Sequence, residues 1–241
     1  MSSAFFISDV HLSRLASPSG EALLSLLKTA KDEASLFVIL GDLFDIWVGS
    51  GKAFQEEYEP IISALKKLRK KCPIYYFEGN HDFHLEKFWT TQMNFEIFSG
   101  PKDFEFGGLK IRAEHGDEIN REDHGYLFLR WFLRTAPLKF LIENLPSSLV
   151  LKIGQRASKV SRDYTSGLTN KSLKIFRDYA QVLAKNKSFD LLLTGHTHVP
   201  DDFKFDHDGK TSRLINLGSW FDGPHYLKIS DQGKIDQIRI S

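Results

Sequence analysis

The sequence predicts an α/β fold built on a largely parallel sheet, and three observations carry that prediction. Short apolar runs at Ala4–Ile7, Leu36–Leu40, Pro73–Glu78 and Leu191–Thr194 are too short for helices and read as strands buried on both faces. Helical periodicity fills the spacers between the first three, which implies βα units with right-handed crossovers. Each run also ends on Asp, Asn or His, at the C-terminal strand end where open α/β sheets place their ligands.

Taken in order, Ala4-Phe5-Phe6-Ile7-Ser8 is the first strand and leads into Asp9-Val10-His11. In an extended segment, residues i and i+2 point the same way, so Asp9 and His11 can share one ion. Glu21–Lys31 carries Leu23, Leu24, Leu26 and Leu27 at helical spacing, and the strand ending on Gly41-Asp42 follows it. A second helix is expected from about Ala53 to Lys70, with a kink or a late start at Pro60. The third strand delivers Gly79-Asn80-His81-Asp82. Phe104–Phe106 and Leu109–Arg112 flank Gly107-Gly108, a two-residue hairpin signal, and the second arm runs to His115. From Glu118 to Asn186 the texture is helical, broken around Leu145–Ser148. A strand then ends on Gly195-His196-Thr197-His198, and the remainder reads as β. The expected organisation is a sheet domain of residues 1–117 and 187–241, with a helical cap inserted at 118–186.

Composition excludes several classes. A hydrophobic share of 41% and a charged share of 26% are those of an ordinary globular chain. A formal net charge of +1 argues against a partner bound through bulk charge, so no nucleic acid is expected. The single cysteine, Cys72, permits no internal disulfide and reads as a packing residue. No apolar run reaches the roughly 18–20 residues of a membrane span, and Ala4–Ile7 is too short for a secretory signal. A cytoplasmic location is the expectation.

Five strand ends thus carry Asp9 with His11, Asp42, Asn80, His115, and His196 with His198. Carboxylate, imidazole and amide oxygen without thiolate suit Mn²⁺, Fe or Zn²⁺. Seven ligands exceed one tetrahedral site and fit two divalent ions about 3.5–4 Å apart. A carboxylate bridge would offset the repulsion between the cations, and Asp42 on the central strand is the expected bridge.

At these residues the chain resembles the calcineurin-like metallophosphoesterases. The family pattern D-x-H, G-D, G-N-H-D/E, H and G-H-x-H stands here as Asp9-Val10-His11, Gly41-Asp42, Gly79-Asn80-His81-Asp82, His115 and Gly195-His196-Thr197-His198. The resemblance implies a four-layer α/β/β/α sandwich. It implies one metal on Asp9, His11, Asp42 and His198, and another on Asp42, Asn80, His115 and His196. It also makes His81 a proton donor or electrostatic stabiliser, oriented by Asp82, and leaves Asp45 a structural role. His84, His207 and His225 have no partner that the sequence names.

Within that superfamily the chain is similar to the UDP-2,3-diacylglucosamine pyrophosphatases of lipid A synthesis. The similarity lies in Leu40–Gly49, in His115-Gly116-Asp117 with Glu122-Asp123 and Gly125-Tyr126, and in Leu217-Gly218-Ser219-Trp220. It implies a lipid-linked nucleotide sugar as substrate, two Mn²⁺ ions, and substrate contacts at Asn80, Asp123, Ser158, Lys171 and His196. Two departures stand out: those relatives carry Arg in place of His81, and their Arg-x-x-Ser-Lys passage survives only as Arg156-Ala157-Ser158-Lys159, with Lys171-Ser172-Leu173 displaced.

The cap adds its own signal. Tyr126–Leu133 is apolar nearly all round, interrupted by Arg130 and Arg134, which align with Tyr126 at i, i+4 spacing. Leu138, Phe140, Leu141, Ile142, Leu149, Val150, Leu151 and Ile153 continue the pattern. Such a cap could pack wholly on the sheet domain, or could also bind acyl chains and touch a membrane surface, placing the protein peripherally on the cytoplasmic face of the inner membrane. A soluble phosphodiesterase or phosphatase acting on nucleotides is the alternative; a non-enzymatic scaffold would be expected to have lost ligands, and none is missing.

Overall fold

Strand β2 (Ala34–Ile39) shows how the layers arise. Its side chains alternate between two separate cores: Phe37 and Ile39 join a cluster with the helices, whereas Leu36 and Val38 join a cluster with a second sheet. Strand β1 (Ser3–Ile7) does the same, with Phe5 and Ile7 on one side and Ala4 and Phe6 on the other. A strand with a buried environment on both faces needs no polar alternation, which is why these runs are continuously apolar.

The computed structural model describes residues 2–154, 156 and 169–240, with the side chains of residues 169 and 170 excepted. The first sheet has the order β13-β12-β1-β2-β4-β6, where β4 is Ile74–Phe77, β6 Glu96–Phe98, β12 His225–Ser230 and β13 Ile235–Arg239. Strands β1, β2, β4 and β6 are parallel. Helices α1 (Pro18–Glu33) and α3 (Glu59–Arg69) cover its outer face through Leu23, Leu26, Leu27, Ile61, Leu65 and Leu68. A shorter α2 (Lys52–Glu57) precedes α3, and the break at Tyr58 places Pro60 in the first turn of α3, where its missing N–H costs nothing. Two-residue strands β3 (Trp47–Val48) and β5 (Asp82–Phe83) pair with each other beside the site.

The second sheet has the order β10-β11-β9-β8-β7: β7 is Lys102–Phe106, β8 Leu109–Ala113, β9 Leu191–Thr194, β10 Asp201–His207 and β11 Lys210–Asn216. Gly107 and Gly108, both at positive φ (58° and 76°), make the β7–β8 turn. Ile111, Ala113, Leu191, Leu193 and Ile215 face the first sheet. On the outer face, Leu192, Leu214 and Phe205 pack with Phe176 and Ala180 of the last helix, Thr169–Ala184, labelled α7. The layers are therefore α/β/β/α.

Within the segment expected as a cap, α7 packs on the outer face of the second sheet as the fourth layer of the sandwich. The other described helices of that segment are α4 (His124–Leu133), α5 (Ala136–Asn144) and a helical stretch at 147–154, α6, whose Leu133, Ile142, Val150 and Leu151 pack on the first core. Among the described residues, no helix is long and apolar enough to cross a membrane.

Candidate metal centre

Strands β1, β2 and β4 of one sheet and β8 and β9 of the other bring their C-terminal ends together, and the loops that follow supply the polar side chains. The turns are tight. Asp9, His11, Asp42, His196 and His198 all adopt positive φ, between 47° and 68°. Such backbone costs on the order of 1–3 kcal/mol per residue and persists where the surroundings enforce it. Gly79 and Gly195 allow close approach: a Cβ at Gly79 would run into the Asp42 carboxylate, and one at Gly195 into Ser8 Oγ and the Asp9 carboxylate.

One atom each from Asp9, His11, Asp42 and His198 lies within 4.8 Å of all the others. His198 Nε2 is 3.3 Å from Asp9 Oδ1 and 2.9 Å from His11 Nε2. On the other side, Asn80 Oδ1 is 3.0 Å from His196 Nδ1 and 3.2 Å from His115 Nε2. Asp42 Oδ2 stands between the groups, 3.8 Å from His11 Nε2 and 3.6 Å from His115 Nε2. All seven residues expected as ligands meet at this one place.

The arrangement fits cations. Asp42 Oδ2 and His11 Nδ1 are buried with no hydrogen-bond partner among the described residues. Burial, then the carboxylates of Asp82 and Asp9, push the Asp42 carboxyl well above its usual range, so its negative charge is poorly accommodated by the protein alone. Burial also raises Asp9, but His11 and His198 outweigh it and hold that carboxyl well below. Burial brings His11 and His196 down to about 4, leaving both imidazoles neutral, as ligation requires. With O and N donors and no sulfur, the set suits hard or borderline divalent ions.

His81 is buried beside this cluster, its ring 4.8 Å from that of His11. Its Nδ1 lies 2.8 Å from the Asp45 main-chain oxygen. A carbonyl only accepts, so Nδ1 carries the proton and Nε2 of the neutral ring is an acceptor. Burial, followed by the nearby His11, lowers His81 to about 3. Asp82 was expected to orient His81; the structure overturns this. The Asp82 carboxylate instead accepts from the amides of Asp42, Leu43 and Gly79 and from the Tyr76 hydroxyl. It ties the β2 and β4 loops together beneath the site. Asp82→Ala should leave the amides of Asp42 and Leu43 unpaired, at about 1–3 kcal/mol each, while the Gly79 amide keeps the Asp82 main-chain oxygen at 3.0 Å. Urea denaturation should therefore show a loss of about 2 kcal/mol or more, and a loss below about 1 kcal/mol would contradict this role.

Asp45 lies closer to the chemistry than the sequence suggested: one atom each from His11, Asp45 and His81 also falls within 4.8 Å of the other two. Of the unpartnered histidines, His84 Nε2 is 3.0 Å from the Leu133 main-chain oxygen and His207 is 3.1 Å from Asp208. His225 clips the 217–223 loop, with Nε2 2.6 Å from Leu217 O and Nδ1 2.9 Å from Gly223 O.

Helix α4 is fastened to the rim. Asp123 caps it, accepting from the Tyr126 amide at 3.0 Å. Asp117, which follows His115 by two residues, accepts from Tyr126 Oη at 2.8 Å and Arg130 Nε at 2.6 Å. Burial raises Asp117, but His115, Arg130, His196 and Arg134 outweigh it and bring it to about 2. Arg134 donates to the main-chain oxygen of Gly79 at 2.8 Å and lies over the Phe83 ring. The Tyr126 ring is 5.8 Å from that of His196. Lys171 is exposed in the first turn of α7, and Ser158 lies outside the described residues.

A family model described as calcineurin-like phosphoesterase matches residues 3–200. The chain belongs to this family. It is a metal-dependent phosphoester hydrolase, and the converged Asp, Asn and His residues are its candidate metal centre. This calcineurin-like phosphoesterase is 29% identical over 228 residues to a UDP-2,3-diacylglucosamine hydrolase of Pseudomonas syringae pv. syringae, covering 94% of this chain and 92% of that one. It is 28% identical over 220 residues to the protein of that name from Vibrio atlanticus, covering 90% and 89%. Among solved structures, Yfce, a phosphoesterase from E. coli, aligns at 19% identity with a TM-score of 0.46, covering 99% of this chain and 100% of that one.

Proposed function

We propose that this centre hydrolyses the diphosphate bond of UDP-2,3-diacylglucosamine, giving UMP and 2,3-diacylglucosamine 1-phosphate. The supporting observation is the position of the apolar cap. Its inner residues Leu133, Ile142, Val150 and Leu151 already pack on the first core. Its outer residues remain open to solvent: Phe128, Leu129, Trp131, Phe132, Phe140, Leu141, Leu149 and Ile153 are all 44–70% exposed. A cap that served only to cover itself would not need this second apolar face. The face belongs to elements anchored within reach of His196 and Gly79, so acyl chains held there would leave a diphosphate at the metal centre. The names of the relatives point to the same substrate.

Two divalent cations, Mn²⁺ in this reading, would be held by Asp9, His11, Asp42 and His198 and by Asp42, Asn80, His115 and His196. When bound they supply charge that lowers the pKa of water and neutralises phosphoryl oxygens. The rest falls to the chain. Asp42 offers one carboxylate to both groups of ligands. Asn80 and His196 line the side facing Tyr126. His81, with Nδ1 committed to Asp45, presents an acceptor; either half of a diphosphate leaves as a stable anion and needs no proton from it. Asp117 positions Tyr126 and Arg130, and through them α4. In this reading the exposed cap face would rest on the lipid surface that carries the substrate, with the protein peripheral on the cytoplasmic side of the inner membrane.

The test is an assay of the purified protein with Mn²⁺ against UDP-2,3-diacylglucosamine in detergent micelles and against a generic aryl phosphodiester, with UMP release followed directly. A strong preference for the lipid diphosphate is expected. Equal kcat/KM on both compounds would favour a soluble nucleotide-type phosphodiesterase instead.

A further inference from the structure

The metal centre has two aromatic ends. Tyr126 of α4 adjoins His196 at one end. At the other end stands Phe221, on the short helical turn Trp220–Asp222 that follows β11. The Phe221 ring lies nearly parallel to that of His11, 12° between planes and 5.2 Å between centroids, and edge-on to His198 at 5.4 Å. Its residue is nonetheless 55% exposed. One face is thus fixed on a candidate metal ligand, while the ring stays widely open to solvent.

The turn that carries it is preorganised. The Trp220 amide donates to Asp9 O at 3.1 Å, and the Trp220 side chain is buried in the first core. Gly218 N donates to Asn216 Oδ1, Gly223 leaves the turn at φ 115°, and His225 bridges the carbonyls at both ends. A large exposed aromatic ring on so firmly held a turn loses little freedom on binding a ligand.

From this geometry we infer that Phe221 is a stacking shelf for the nucleobase of the substrate, a specificity-determining residue on the His11–His198 side of the centre, away from Tyr126 of α4. The inference rests on the diphosphate reading above. If the acylated sugar lies along α4 at the Tyr126–His196 side and the diphosphate lies at Asp42, the nucleoside must leave the centre at the His11–His198 side. There Phe221 supplies a flat apolar face beside the phosphates. Stacking on such a face tolerates any base, so the shelf selects for a planar base and not for uracil in particular.

The experiment compares binding of UMP and ribose 5-phosphate, which has the same phosphate and sugar without the base, by calorimetry on the Mn²⁺-loaded protein. Wild type should bind UMP at least about fivefold more tightly, the lower end for base–aromatic stacking. Phe221→Ala should remove the difference and Phe221→Trp should keep it, with thermal melting and bound metal checked in both variants. Equal UMP affinity in wild type and Phe221→Ala, or no preference for UMP in wild type, overturns the shelf. The two readings separate cleanly. Hydrolysis of UDP-2,3-diacylglucosamine with a Phe221→Ala variant that still prefers UMP sinks the shelf alone. A Phe221-dependent preference for UMP without hydrolysis of the lipid sinks the substrate and leaves a nucleotide site.

Discussion

Asp42→Asn should abolish hydrolysis and, in the same protein, stabilise the metal-free state. Asp42 is fully buried; its Oδ1 accepts from the His81 amide at 2.8 Å, while Oδ2 has no hydrogen-bond partner among the described residues. Its charge sits among the carboxylates of Asp82 and Asp9. Without cations that repulsion is uncompensated, and asparagine removes it while keeping an oxygen for the His81 amide. A gain of about 1 kcal/mol would raise the melting temperature of the metal-free protein by roughly 2–4 °C. With cations the sign reverses, because the group shared by both ligand sets has lost its charge. Bound metal should fall from two ions to one or none. Losing several kcal/mol of transition-state charge stabilisation corresponds to a fall in kcat/KM of about 10³-fold or more. Two ions retained by elemental analysis, or an unchanged melting temperature after chelation, would refute this account of Asp42.

The parts of the molecule legible in the sequence are those whose signal is local. Strand β2 could be read because both its faces are buried, and its ligand because Gly41-Asp42 follows without a gap. Gly107-Gly108 announced its hairpin, and Pro60 announced the break before α3. The two-residue strands β3 and β5 and the three-residue β6 carry too few positions for periodicity to register. The role of α7 was not local either: its apolar side looks like that of any amphipathic helix, and only Leu192 and Leu214 on the outer face of the second sheet show what it covers.

At the site, all seven expected ligands converge, since each sits at the end of a strand whose direction the βα pattern fixes. Asp82 serves the loops and not the His81 ring. Adjacent residues in extended backbone point to opposite sides, so the neighbour of His81 was poorly placed to orient it; the Asp45 carbonyl does so from 36 residues away. Phe221 is not legible in the sequence, because nothing in Leu217-Gly218-Ser219-Trp220-Phe221 says that its ring lies on His11, although a buried Trp220 makes an outward neighbour unsurprising.

The largest effect expected of the cap is discrimination between acylated and de-acylated substrate. Each buried CH₂ contributes about 0.8 kcal/mol, so four methylenes held against α4–α6 would give roughly 3 kcal/mol, or about 10²-fold in kcat/KM; longer contacts would give more. The structure identifies residues that test this without unfolding the cap. Leu151 packs on the first core, and changing it would mix stability with binding. Phe140 and Trp131 are 70% and 62% exposed, so Phe140→Ser and Trp131→Ser should melt within about 0.5 kcal/mol of wild type. In wild type, UDP-2,3-diacylglucosamine should be hydrolysed at least about 10²-fold more efficiently than its de-acylated analogue. In the double variant that ratio should shrink, while turnover of the de-acylated compound should stay as in wild type, because Asp9, His11, Asp42 and the other metal-centre residues are untouched. Binding to vesicles of anionic phospholipid, measured by sedimentation, should weaken in parallel. Equal rates on the two compounds in wild type would remove the lipid from the reaction, and the exposed face of α4–α6 would then need another occupant.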